Sequence, residues 1–206
     1  MATPAEDRPI TVVKVGGSLF DWPALSERLQ AFLRSDDVRP DRVVLIAGGG
    51  PFADAVRALD VVHGLGERSC HRLALRAMDV SAASLSYLIA DAVVVDNLPQ
   101  IADAWRTARQ PILAPRRYLE EIDESGDDPL PLSWQTTSDS IAARIAERLG
   151  ARRLILLKSS AVVAGDRVEA ARLGLVDSVF PHAARRITEV EYVAFRQPHR
   201  VSALLA

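Results

Sequence analysis

The sequence predicts an α/β protein, a three-layer αβα sandwich around a mostly parallel central sheet. Three observations carry this: β-branched apolar runs recur along the chain, helical periodicity fills the intervals between them, and two of the runs end in glycine-rich loops. Ile10–Val15 is the first such run and breaks at Gly16-Gly17-Ser18, a buried strand entering a loop. Pro23 suits a first helical turn, and Leu25, Leu29, Phe32 and Leu33 recur at helical spacing through Arg34. Arg42–Ala47 is a second strand, stopped by Gly48-Gly49-Gly50-Pro51. A helix over Phe52–Val62 follows, with Phe52, Val56 and Leu59 on one face and His63-Gly64-Leu65-Gly66 at its end.

A long helix is predicted over Glu67–Ala90, turning Leu73, Ala77, Val80 and Leu88 inward. Ala92–Asp96 reads as a strand, Ile101–Arg109 as a helix and Pro111–Pro115 as another strand segment. Glu120–Pro131, rich in acidic residues, Gly and Pro, reads as a surface loop. Thr136–Ser140 offers N-cap residues to a helix carrying Ile141, Ala142, Ile145, Ala146 and Leu149, which Gly150 ends. Arg153–Lys158 is a further strand, Glu169–Leu173 a short helix and Val190–Phe195 a last strand.

Composition narrows the function. The 206 residues, 49% apolar and 25% charged, suffice for one compact domain spanning 1–206, and 25 basic against 27 acidic residues leave no basic field for nucleic acid. No run approaches the roughly 20 apolar residues of a membrane span, and the polar start of the chain is unlike a secretory leader. Cys70 is the only cysteine, which excludes an intramolecular disulfide and any CxxC site and suits a reducing cytoplasm. No HxxxH or HExxH spacing marks a metal site, and no Gly-x-Ser-x-Gly marks a hydrolase.

Of the 25 basic residues only Lys14 and Lys158 are lysines, and both fall at strand ends. Ligands of open parallel sheets bind beyond the carboxyl ends of the strands, where Lys14–Ser18, Gly48–Gly50, Thr137–Ser140 and Lys158–Ser160 collect. Glycine loops there bring backbone N–H groups close to an anion, although a tight strand-to-helix turn alone also asks for glycine. Neither loop fits GxGxxG or GxxxxGK[ST], which disfavours a dinucleotide fold or a P-loop kinase. Two such loops with a lysine between them suit phosphoryl transfer, in which a protein mainly positions reactants and neutralises charge. Asp139 either directs Lys14 by a charge-assisted bond or simply caps its helix. Arg57 is either a bidentate clamp for an acceptor phosphate or part of a solvated helix face, and Ser133 and Trp134 either line an acceptor pocket or pack.

Lys14-Val-Gly-Gly-Ser-Leu, Gly48-Gly-Gly, Thr137-Ser-Asp-Ser-Ile-Ala-Ala and Leu154-Ile-Leu-Leu-Lys, in this order and over nearly the whole chain, resemble the amino acid kinase superfamily. The resemblance implies that Lys14 stabilises the transferring phosphoryl group, with Gly16, Gly17, Ser18 and Ser159 on the donor side. It implies that Gly48, Gly49 and Gly50 hold the acceptor, that Asp139 organises the lysines, and that Lys158 is a second cation near the nucleotide. Mg-ATP as donor, a small phosphate or oxyanion acceptor and a homodimer built on the helices after the second strand come with it. The short chain, with Leu130-Pro-Leu-Ser-Trp and Leu157-Lys-Ser, resembles a compact branch linked to methanofuran-type cofactor synthesis, whose implied acceptor is an aminomethylfuran methyl phosphate. Ser159-Ser160-Ala161-Val162 stands where many members have Thr-Asp and a glycine turn. That departure keeps open a rival, a catalytically silent member that binds a phospholigand or assembles with other subunits.

Overall fold

The computed structural model describes residues 8–161 and 165–206; residues 1–7 at the polar start of the chain, and Val162, lie outside them. Seven strands form one sheet in the order β3-β4-β2-β1-β5-β6-β7. They are β1 (Ile10–Val15), β2 (Arg42–Ala47), β3 (Ala92–Val95), β4 (Gln110–Leu113), β5 (Arg153–Lys158), β6 (Glu189–Ala194) and β7 (Ser202–Leu204). All neighbours run parallel except β7, which returns antiparallel along β6. The helices are α1 (Leu25–Leu33), α2 (Gly50–His63), α3 (Glu67–Ser86), α4 (Leu98–Arg106), the single turn α5 (Arg116–Tyr118), α6 (Ser138–Arg148), α7 (Arg167–Arg172) and α8 (Phe180–Ala183).

Alternation along the central strands builds two cores. Val12, Val44, Ile46, Leu154 and Leu156 are buried with Ile141 and Ile145 of α6 on one face of the sheet. Val13, Val15, Leu45, Ile155 and Leu157 are buried with Leu25 and Leu29 of α1 on the other. Each such side chain contributes about 1.5–3 kcal/mol by leaving water. The period of two also fixes the polar ends: Lys14 follows Val12, and Lys158 follows Leu154 and Leu156, onto the α6 face. Lys14 pairs in register with Leu156, so Lys158 stands one pleat further along the adjacent strand.

Several expectations need correction. The long helix ends at Ser86, and of the four residues expected inward Ala77 is buried while Leu73, Val80 and Leu88 are not; on α2, Val56 is buried while Phe52 and Leu59 are exposed. The inward face of α3 is instead Cys70, His71, Leu75, Met78, Ala82 and Leu85. The apolar spacing was genuine, but it belongs to a stripe facing solvent. The acidic stretch 120–131 is not wholly a surface loop. A wide helical turn over Leu119–Asp123 buries Leu119 and Asp123, and the Asp123 carboxylate accepts the Leu130 N–H at 2.8 Å beside Arg144. Helix α4 starts at Leu98 instead of Ile101, because the Asn97 side chain caps it by accepting the Gln100 N–H. Strand β7 and helix α8 carry no periodic signal long enough to read.

Candidate active site

Helix α6 lies across β1 and β5 and brings Asp139, in its first turn, over the two lysines. Lys158 Nζ donates to Asp139 Oδ2 at 2.6 Å, and Lys14 Nζ stands 2.9 Å from Oδ1 in an ionic contact outside hydrogen-bond alignment. The Asp139 and Lys14 side chains are almost wholly buried, that of Lys158 slightly less so. Burial pushes the Lys14 ammonium below its ordinary value and the Lys158 charge adds to that, while Asp139 opposes both. Burial alone would raise the Asp139 carboxyl, but the two lysines hold it down at about 2. The cluster therefore offers two ammonium groups on one carboxylate, one positive charge in excess, in a site of low dielectric where such charge acts strongly.

The two glycine loops meet each other. A Cβ on Gly17 would lie 2.4 Å from the Gly50 nitrogen, and one on Gly48 would lie 2.7 Å from the Gly17 nitrogen. Gly50, the first residue of α2, has φ +52°, a conformation open to glycine. Gly16 is held by its N–H to the Leu157 carbonyl at 2.8 Å, so it ties the first loop to β5. Ser18 and Ser159 touch through their hydroxyls at 2.7 Å, bridging the same two strand ends.

A cavity of about 310 Å³ opens at this point, walled by Lys14, Lys158 and Asp139 at one end and by α2, α3 and the Trp134–Ser138 segment elsewhere. Of the residues predicted to form the site, it brings together Lys14, Gly17, Ser18, Gly49, Gly50, Arg57, Asp139 and Lys158. Gly16, Gly48, Ser133 and Ser159 stand behind the wall. Ser133 is turned away: its hydroxyl accepts the Gln135 N–H and its carbonyl meets His71. Arg57 pairs with Asp54 at 2.7 Å and stacks over the Trp134 ring at 4.9 Å, while the indole N–H reaches Asp60 at 3.2 Å.

Two residues of the site were not singled out for it from sequence. Asp177 takes the N–H of Thr137 and of Ser140 at 3.1 Å each and the Thr137 hydroxyl at 2.6 Å, so it holds the start of α6. Burial raises its carboxyl against the donors from Ser140 and Thr137. No local pattern announces a cap 37 residues along the chain. His71 is buried on α3 and lines the cavity; nothing in its spacing distinguishes it. Among the described residues no three His, Cys, Asp or Glu side chains converge as metal ligands, and both Asp139 oxygens face lysines. Mg²⁺ at this site would be carried on nucleotide phosphates and water.

Glycine loops and ammonium groups thus meet beyond the carboxyl ends of a parallel sheet, the place where such α/β folds can hold an anion. The chain belongs to the amino acid kinase family, whose model matches residues 9–177. It is 30% identical over 149 residues to the [5-(aminomethyl)furan-3-yl]methyl phosphate kinase of Methanocaldococcus jannaschii, an alignment covering 70% of this chain and 63% of that protein. The chain thus spans somewhat less than two thirds of that relative. The fold is similar to uridylate kinase of Archaeoglobus fulgidus, with a TM-score of 0.61, 17% identity and coverage of 95% of this chain and 90% of that one. Aspartate kinase of Synechocystis gives a TM-score of 0.67 at 13% identity, covering 96% of this chain and 40% of that one. No described helix is long and apolar enough to cross a membrane.

Proposed function

We propose that this protein is a small-molecule kinase that transfers the γ-phosphoryl group of ATP to a phosphate or other oxyanion acceptor. The observation that carries the reading is the pairing of Asp139 with both lysines of the chain at the end of a cavity lined by glycine loops. In the transfer, an acceptor oxygen forms a bond to the γ-phosphorus as the bond to the β,γ-bridging oxygen breaks, and ADP leaves with that electron pair. Such a reaction asks the protein for position and charge neutralisation instead of covalent chemistry. Lys14 meets the equatorial oxygens of the transferring group, Lys158 the nucleotide side, and Asp139 keeps both ammonium groups aimed. Mg²⁺ supplies further neutralisation of the phosphates when bound with ATP.

The kinship with an aminomethylfuran phosphate kinase supports a phosphomonoester acceptor of that kind, giving a diphosphate product. A homodimer joined through the exposed apolar stripes of α2 and α3 completes the proposal, as does a cytoplasmic setting, to which a single buried free cysteine is suited. Calorimetric titration of Mg-ATP into the wild-type protein and into Lys14→Ala tests the reading. Saturable binding weakened by the substitution is expected. Absence of binding to the folded wild type, with and without an acceptor phosphate, would overturn it in favour of a silent phospholigand-binding subunit.

A further inference from the structure

We infer that Asp60 is a positioning residue for the acceptor: it acts through the Trp134 indole, which it holds in place as a wall of the cavity. The inference deepens the phosphotransfer reading of this site and rests on it. Asp54, Arg57 and Asp60 follow one another at three-residue spacing on α2, so each is a neighbour of the next on the helix surface. The structure divides them. Asp54 and Arg57 line the cavity, whereas Asp60 does not. Its carboxylate instead accepts the Trp134 indole N–H at 3.2 Å through Oδ2 and the Gly66 N–H at 3.2 Å through Oδ1. Donors from the Cys70 thiol, the indole and the Gly66 backbone hold the carboxyl below its ordinary value, so an ionised acceptor meets the indole.

Trp134 sits between Leu130 and α6 in a segment that has no helix or strand to fix its side chains. The main chain of that segment is fastened as a turn. The Ser133 carbonyl takes the Thr136 N–H at 3.2 Å and meets His71 Nδ1 at 3.2 Å, and the Thr136 hydroxyl donates to the Pro131 carbonyl at 2.6 Å. Those bonds leave the indole to its own contacts. Asp60 takes its one N–H, and the Arg57 guanidinium, paired with Asp54 at 2.7 Å, covers a face of the ring 4.9 Å from its centre. An indole has a single donor and no acceptor, so one carboxylate sets its orientation. Among the described residues lining this cavity Trp134 is the one Trp, Tyr or Phe side chain, and the fit of the acceptor's body to that aromatic surface depends on the orientation. Asp60 therefore completes the ordering of a large side chain in folding instead of at the moment of binding.

The test is a double-mutant cycle on Asp60 and Trp134 in the full chain. It is read as the affinity for [5-(aminomethyl)furan-3-yl]methyl phosphate by calorimetry, and then as KM and kcat with Mg-ATP. Asp60→Ala is expected to weaken acceptor binding about three- to tenfold, the scale of ordering one large side chain on binding. The acceptor KM is expected to rise in step, with kcat and the KM for ATP unchanged. Asp60→Asn, whose amide oxygen still accepts the indole N–H, is expected to recover most of the loss. In the Trp134→Phe background, which has no N–H to hold, Asp60→Ala is expected to cost nothing more. A merely structural role at the Gly66 turn would lower Tm and weaken binding by the same factor in both backgrounds. Equal losses in both backgrounds, an unchanged affinity in Asp60→Ala, or no binding by the folded wild type would overturn the assignment. Coupling in affinity without ADP formation would instead refute the kinase reading and leave the role of Asp60 in binding standing.

Discussion

Gly17 and Gly50 are pressed together backbone to backbone, so that a methyl group on Gly17 would sit 2.4 Å from the Gly50 nitrogen and 2.7 Å from its Cα. The atoms in the way are main chain and cannot swing aside. The loops leaving β1 and β2 are therefore glycine-rich because they pack on each other, and that packing sets the mouth of the cavity beside Lys14.

Gly17→Ala is expected to force the loops apart, costing about 1–3 kcal/mol as overpacking does, and to lower both Tm and turnover. Gly165→Ala, where the added methyl meets nothing within 4 Å among the described residues, is expected to change neither. Thermal denaturation of the two variants beside the wild type makes the comparison.

Asp139 raises the affinity of Lys14 for its proton, whereas burial and Lys158 lower it. Asp139→Asn removes the largest raising influence and leaves Asp177 alone against burial and Lys158, so the alkaline limb of the kcat/KM profile is expected to move to lower pH. Leaving two buried ammonium groups unpaired is expected to cost about 3–5 kcal/mol of stability. With its carboxyl depressed to about 2, Asp139 contributes stability that is fully present above the ordinary value of 3.8 and is lost as pH falls through 2. Acid unfolding of Asp139→Asn is therefore expected to lack that component, and an unshifted alkaline limb would contradict the pairing.

Asp177 is expected to act on the chemistry through α6, whose start it holds. Asp177→Ala strips the acceptor from the Thr137 and Ser140 N–H groups, a loss of about 1–3 kcal/mol, and frees the turn that carries Asp139. The expected signature is a fall in kcat together with a shift of the same alkaline limb. Asp177→Asn, which keeps one acceptor oxygen, is expected to recover part of both. A lower Tm with an unmoved pH profile would reduce Asp177 to a structural cap.

Leu73 and Val80 of α3 and Tyr87, which caps its end, recur every seven residues, with Val80 46% and Tyr87 91% exposed, and Leu59 of α2 is 50% exposed. A dimer that buries these stripes is expected to sediment at twice the chain mass and to dissociate when Val80→Glu places a charge on the seam. A wild type that stays monomeric at high micromolar concentration would contradict it.

The sheet was legible because β-branched runs and glycine punctuation signal strands ending in loops, and Lys14 and Lys158 stood out by the scarcity of lysine in an arginine-rich chain. Their common face was implicit in the alternation from Val12 and from Leu154, and the structure joins them through Asp139. Spacing did not reveal which apolar stripe of α3 faces inward, since Leu73, Val80 and Tyr87 repeat as regularly as the buried Leu75, Met78 and Leu85. Asp177 was hidden for a different reason: its partners lie in another element, and long-range capping leaves no local pattern. His71 was hidden likewise: the Ser133 carbonyl that it meets is brought beside it only by folding.

Phosphoryl transfer at the Lys14–Asp139–Lys158 cluster is read out by ³¹P NMR of Mg-ATP mixed with [5-(aminomethyl)furan-3-yl]methyl phosphate and the wild-type protein. The γ-phosphate signal of ATP is expected to decay as a pair of coupled diphosphate resonances grows, and Lys14→Ala to slow this roughly 10²–10³-fold, the scale on which removing one transition-state donor acts. An unchanged ATP spectrum with folded wild type across a panel of phosphate acceptors, or full turnover by Lys14→Ala, would contradict it.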